Sequence, residues 1–207
     1  MPIHHPLKPH FPSDLQSEWT VLYALYPLPI EAHVFVGLRL PDPETSGVRE
    51  IDFLILHPEL GLIIVEVMGE GVEPRKGHWV RRTADGEFDR MAESPAELLQ
   101  AQQNALFRFL KAAGEEFIPR ITLVLALPAL PLESGRSLGA NLPACRILTL
   151  EKLRNPFISL RLAVTGGKAW NEWCTTPQAA QYAIGRERFT HLLDALEPLL
   201  PPETSSR

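Results

Sequence analysis

Two apolar runs dominate the middle of the chain. Glu50 to Leu56 and Leu62 to Met68 are rich in aliphatic and β-branched residues, and His57-Pro58-Glu59-Leu60-Gly61 lies between them. Runs of this length around a short break bearing proline and glycine predict a β-hairpin. Each run carries an acid where acids are unwelcome, Asp52 in the first and Glu66 in the second. A charge in a buried strand costs several kcal/mol unless it is paired, solvated or bound to a cation.

If the turn is symmetric about Glu59, Asp52 lies opposite Glu66 and Glu50 lies opposite Met68. Alternation along the strands then sets all four on one face. Directly opposed Cβ atoms are roughly 4.5–5.5 Å apart. Two carboxylates at that separation repel, and they stay ionised readily only with a cation between them. A hard divalent ion with oxygen ligands, such as Mg²⁺, fits the pair. Two alternatives stand beside this one. A one-residue slip would send Asp52 and Glu66 to opposite faces, and basic neighbours could satisfy both acids in a purely structural way.

The rest of the pattern frames the hairpin. Residues 1–12 carry four prolines with His4, His5 and His10, which predicts an extended arm with solvated histidines. Ser13-Asp14 opens a helical pattern with Trp19, Leu22, Tyr23 and Tyr26 at spacings of three and four, and Pro27 and Pro29 stop it. Ala32 to Leu40 alternates like a strand, and Trp79 to Arg82 is a further short one. Ser94-Pro95-Ala96-Glu97 reads as an N-cap, a first-turn proline and a capping-box glutamate. Leu98, Ala105, Leu106, Phe109 and Leu110 form the apolar face of that helix, and Gly114 ends it. Ile121 to Leu127 predicts a buried strand and Arg146 to Leu150 another, with a short helix from Glu151. Beyond residue 155 the pattern is helical, best over Gln178 to Leu196, and Glu203 to Arg207 is a loose tail. Helices and strands in this order predict an α/β or α+β sandwich around a mixed sheet.

Composition narrows the function classes. The net charge is −5, from 20 Lys and Arg against 25 Asp and Glu, which argues against a broad basic surface that coats nucleic acid. A small basic groove on an acidic body remains compatible. Two cysteines, Cys145 and Cys174, give neither a disulfide framework nor a thiolate zinc cage, and they fit a reducing cytosol. The first residues lack the apolar run of a secretory signal, and no apolar stretch reaches bilayer length.

The hairpin and its surroundings resemble a known family. Glu50-Ile51-Asp52-Phe53-Leu54-Ile55-Leu56-His57-Pro58, followed by Gly61-Leu62-Ile63-Ile64-Val65-Glu66-Val67-Met68-Gly69, is similar to the nuclease-related domain (NERD) of the PD-(D/E)XK nuclease superfamily. Supporting matches are Ser17-Glu18 in the first helix, Trp79, Ser94-Pro95 with Gln100-Ala101, Val124-Leu125-Ala126-Leu127-Pro128, and Ile147-Leu148-Thr149-Leu150-Glu151-Lys152-Leu153. The resemblance covers residues 13–155, leaving 1–12 as the arm and 156–207 as a helical C-terminal appendix and tail. It implies an α/β, restriction-endonuclease-like mixed sheet flanked by helices. The implied activity is metal-dependent cleavage of DNA in processing or repair, with Mg²⁺ or Mn²⁺ as cofactor. Similar segments front some superfamily 1 helicases, which makes DNA and a helicase or other DNA-processing protein the expected partners.

The resemblance also assigns residues. Asp52 and Glu66 would hold the metal, with the Val67 carbonyl as a third ligand and Glu18 reaching the site directly or through water. The family's lysine, two residues after the glutamate, would orient the attacking water and stabilise developing charge. Here that position is Met68, whose thioether neither carries charge nor donates a hydrogen bond. Three readings follow: the role has moved to another basic residue, cleavage is lost with binding kept, or the methionine is an isolated change. Lys76, Arg75 and Arg81 are the nearest basic residues in sequence. Gln100 matches the family's glutamine by appearance, whereas helical projection puts Gln102 in the apolar face and favours it for reaching the site. Arg75, Lys76, Arg81, Arg82 and Arg90 cluster about the third strand as candidate phosphate contacts, against Asp85, Glu87 and Asp89. Trp170 and Trp173 read as packing residues rather than base-stacking ones.

Overall fold

The predicted hairpin forms in the computed structural model, which describes residues 1–5, 15–42, 47–75, 77–83, 85–130 and 142–200. Its strands are β3 (Gly47–His57) and β4 (Gly61–Val67). The register is the one expected from a turn symmetric about Glu59, with Phe53 opposite Val65 and His57 opposite Gly61. The turn satisfies its own polar groups: His57 Nδ1 accepts the Glu59 N–H at 3.1 Å and the Leu60 N–H at 3.4 Å. Gly61 closes it with a φ of +75°, and a Cβ there would meet the carbonyl oxygens of Arg120 and Tyr182 at 3.1 Å. No other residue meets both requirements without strain.

Four further strands complete the main sheet around the hairpin: β1 (Ile3–His5) and β2 (His33–Asp42) lie on one side, and β8 (Ile121–Leu127) and β9 (Ile147–Thr149) on the other. The main sheet therefore runs β1-β2-β3-β4-β8-β9, antiparallel through β2, β3 and β4 and parallel at β1–β2, β4–β8 and β8–β9. Parallel pairing of β4 with β8 requires a crossover. It is made by a small antiparallel sheet of β5 (Val72–Arg75), β6 (His78–Arg82) and β7 (Phe88–Arg90), and then by helix α2 (Pro95–Ala112). The helix starts as its sequence demands: Ser94 Oγ accepts the Glu97 N–H, and the Glu97 carboxylate accepts the Ser94 N–H at 2.8 Å.

Strand alternation divides the core into two layers. Leu54, Leu56, Leu62, Ile64 and Leu125 pack against Leu99, Leu106 and Leu110 of α2 and against Leu192 and Leu196 of α6 (Arg186–Leu196). Phe53, Ile55, Ile63, Val65 and Val124 pack against α1 (Gln16–Leu25) and α4 (Pro156–Thr165). The outcome is the expected α/β fold, a mixed six-stranded sheet covered by helices. Between β9 and α4 comes one turn of helix, α3 (Leu150–Leu153), and after α4 comes α5 (Trp170–Cys174). The described part of the segment expected as a helical appendix, residues 156–200, is helical and contributes to both layers, and Glu203 to Arg207 lie outside the described residues.

Several expectations are corrected. In α1 the buried face is Ser17, Val21, Leu22 and Leu25, while Tyr23 is exposed; tyrosine's hydroxyl lets its ring lie at the surface against Trp19 and Tyr26. Gln178 to Leu196 is not one helix, because Gly185 interrupts it and α6 begins only at Arg186. Ile3–His5 is extended as expected, but it forms an edge strand, and His4 is buried against Tyr26 rather than solvated. His10 and the proposed helix start at Ser13-Asp14 lie outside the described residues. Strands β5 and β7 are short and polar, one with Pro74 inside it, so no periodicity announced them.

Candidate active site

The hairpin forks at its open end. Beyond the Phe53–Val65 pair, β3 stays with β2 through Ile51–Leu38 and Glu50–Arg39, while β4 stays with β8 through Glu66–Leu125 and Val67–Ala126. Continued by one residue, the register sets Asp52 opposite Glu66 at the mouth of the fork. Asp52 spans the parting strands by accepting the Val67 N–H at 2.8 Å. Its neighbour on β2 is Gly37, which falls between the Val36–Phe53 and Leu38–Ile51 pairs with a φ of +67°. A glycine in this conformation leaves the flank of Asp52 without a side chain. Sequence reasoning missed Gly37, although an isolated glycine inside an alternating run signals a close approach.

Helix α2 closes the fork from one side. Gln102 is 1% exposed, and its Nε2 donates both to the Glu50 carbonyl at 2.9 Å and to the Glu66 carboxylate at 2.5 Å. One amide thus ties β3 to β4 where the ladder no longer does. Its Oε1 is buried with no hydrogen-bond partner among the described residues. Gln100, one of the two glutamines considered, is exposed and bonds to Gln103 and Asn104, away from the acids. Gln103 bonds to the Ile121 carbonyl.

Electrostatics at the fork are unfavourable to two bare charges. Burial pushes the Glu66 carboxyl well above the usual range, and the Asp52 charge pushes it further, against the pull of the Gln102 bond. Burial also raises Asp52, opposed by the Val67 N–H bond and reinforced by Glu18 and Glu50. Four acids thus share one field, and the innermost pair holds protons at a pH where ordinary carboxyls have lost them.

A cleft of ≈ 640 Å³ opens from Glu66, lined by Glu18, Val67, Met68, Arg81 and Arg90 among others. Glu70, Asp89 and Glu93 join Glu18 and Glu66 on its walls, so acids outnumber the two arginines. Met68 is 5% exposed and belongs to the core layer under α2. Arg81 of β6 and Arg90 of β7 are the predicted basic residues that line this cleft, whereas Arg75 and Arg82 line a neighbouring cavity and Lys76 lies outside the described residues. Trp173 is buried against Tyr182, and Trp170 stacks over Arg161, so both are packing residues as expected.

Among the described residues, no group of three or more His, Cys, Asp or Glu is arranged to hold a metal ion. What Asp52, Glu66 and the main chain at Val67 offer is a two-carboxylate, all-oxygen donor set. That suits an ion such as Mg²⁺, which binds through one or two carboxylates and keeps several waters. Raised proton affinity at both acids fits as well, since a dication can take the protons' place. Among the described residues no helix is long and apolar enough to cross a membrane.

A family model described as the nuclease-related domain (NERD) matches residues 13–127. The match runs from before α1 to the last residue of β8 and includes Glu18, Asp52, Glu66 and Gln102. No curated protein and no solved structure matches the chain.

Proposed function

Because the chain belongs to the nuclease-related domain family, we propose that it is a metal-dependent nuclease that hydrolyses phosphodiester bonds in DNA. The carrying observation is the fork: two carboxyls with raised proton affinity, opposed across strands that have just parted, with Glu66 at the wall of an open cleft. Asp52 and Glu66 would hold Mg²⁺ or Mn²⁺, with the Val67 carbonyl completing the protein's share. When bound, the ion polarises the scissile phosphate and lowers the pKa of an attacking water. Gln102 keeps the Glu66 carboxylate facing the fork, and Val67 N–H does the same for Asp52. Glu18 stands where it can accept a proton from water in the cleft. Arg81 and Arg90 supply the positive charge that Met68 cannot.

The acid excess in the cleft gives this reading a physical consequence. A phosphate approaching the metal-free cleft meets net negative charge, so substrate and cation enter together or not at all. Binding of DNA at the acid cleft is therefore expected to require the divalent ion and to weaken with salt.

A second reading rests on Met68. Its burial in the core layer leaves no cationic group at the position that the resemblance gives to lysine, which favours a module that binds nucleic acid or a helicase-type partner without cutting. Supercoiled plasmid, Mg²⁺ or Mn²⁺, and three proteins separate the two. Nicking by the natural protein that disappears in Asp52→Asn supports the nuclease. Nicking that appears only in Met68→Lys supports the binding module, and no nicking or metal binding in any of them removes the nuclease reading of the site.

A further inference from the structure

A second cavity, of ≈ 360 Å³, adjoins the acid cleft. Arg75, Arg82 and Phe88 of the small sheet line it, opposite Leu127 and Leu130 at the end of β8. Met68, Gly69 and Val72 line both spaces and form the partition between them. Alternation along β6 sorts the charges, with Arg81 on the cleft side and Arg82 on the cavity side. The two spaces differ in sign. Acids prevail in the cleft, whereas the cavity has two guanidinium groups and one carboxylate, Glu73.

That carboxylate is already engaged. Glu73 pairs with Arg75, whose guanidinium lies 3.5 Å from the centre of the Phe88 ring. The Arg82 guanidinium lies 5.9 Å from the same ring and makes no ion pair among the described residues. One arginine is thus fixed between an anion and an aromatic face, and the second, beside it, has no ion pair or side-chain hydrogen bond among the described residues. A planar fork of N–H donors matches the oxygens of a phosphate and binds them in pairs.

We infer that this cavity is a phosphate subsite, which takes a phosphate group of the same nucleic-acid strand whose scissile bond lies at the acid cleft. The inference rests on the nuclease reading and adds to it a second, metal-independent grip next to the metal-dependent one. The phosphate has two possible origins, a terminal monophosphate at a strand end or an internal phosphodiester of a continuing strand. Arg82 is the main ligand in either case, with Arg75 beside it and Phe88 as their floor.

The test is equilibrium binding of internally labelled single strands by fluorescence anisotropy, with Ca²⁺ present to occupy oxygen ligands. Three strands of one sequence carry a 5′-phosphate, a 3′-phosphate or hydroxyl ends. The natural protein is compared with Arg82→Gln and Arg75→Gln, each checked for an unchanged melting temperature. A terminal phosphate that tightens binding on the order of tenfold, with the gain lost in Arg82→Gln, identifies a strand-end subsite. Equal binding of all strands, weakened similarly in Arg82→Gln with a shallower salt dependence, identifies an internal phosphodiester. Strands bound equally well by the natural protein and both variants overturn the subsite and leave the nuclease reading standing. No strand bound by the natural protein overturns both.

Discussion

The β3–β4 hairpin is built differently at its two ends. At the turn, His57 satisfies the Glu59 and Leu60 amides, Gly61 is wedged against the Arg120 and Tyr182 carbonyls, and the strands pair fully. At the other end the strands part, each to its outer neighbour, and the acids that face one another keep unusual proton affinity. A single side-chain amide, Gln102, and a single carboxylate, Asp52, hold the parting strands in register. On the proposed function, the same two strands serve stability at one end and chemistry at the other. Strain of the second kind persists because the first end, with β2 and β8 outside it, over-determines the geometry.

The contrast can be broken from either side. The largest effect is expected from Asp52→Asn, which should lower plasmid nicking by a hundredfold or more, beyond the range of about 10–100-fold for an outer-shell partner. In EDTA at alkaline pH the same variant should melt no lower than the natural protein, since it removes a carboxyl whose charge burial and the neighbouring acids disfavour. Gly61→Val should do the reverse. It forces a branched side chain into a φ of +75° and against two carbonyls, for a loss of about 2–4 kcal/mol in urea unfolding. Activity per folded molecule should be unchanged. Gln102→Leu falls between them: it leaves Glu66 without its donor and should weaken Mn²⁺ binding about 10–100-fold. Ser94→Ala tests a site remote from both ends, and loss of its capping box should cost about 1 kcal/mol in stability with no change in metal affinity.

Much of this was legible in the sequence, for identifiable reasons. The hairpin register followed from a turn symmetric about Glu59; both faces of its strands are buried, so alternation alone left a one-residue slip open. Helix α2 announced itself because Ser94, Pro95 and Glu97 each satisfy a specific need of a helix start. Gln102 stood out as a polar residue on an apolar face, and the structure gives it two partners. The fork itself was not legible. Nothing local in β3 or β4 says where a ladder ends when both strands have outer neighbours, and Gly37 acts from the neighbouring strand β2. Of the small sheet, β6 was read at Trp79 to Arg82, but β5 and β7 escaped because they are short and half polar, held by Phe88 and the arginines rather than by an apolar stripe. The division of Arg81 and Arg82 between two spaces depends on that sheet, so a cluster that looked like one basic patch in sequence is two sites in space.

Metal and proton compete for the fork, and that competition is the account's central claim. Asp52 and Glu66 bind protons more tightly in the fold than in the open chain. The metal-free fold is then most favoured below the ordinary carboxylate range, and it loses stability as pH rises from that range through the raised values. A dication reverses the loss, so its stabilising effect should grow over the same window. The direct measurement is Mn²⁺ titration by calorimetry at several pH values, in buffers of different ionisation enthalpy. The prediction is binding that releases protons, tightens as pH rises and disappears in Asp52→Asn. Absence of Mn²⁺ binding at every pH, or binding identical in Asp52→Asn, would contradict it.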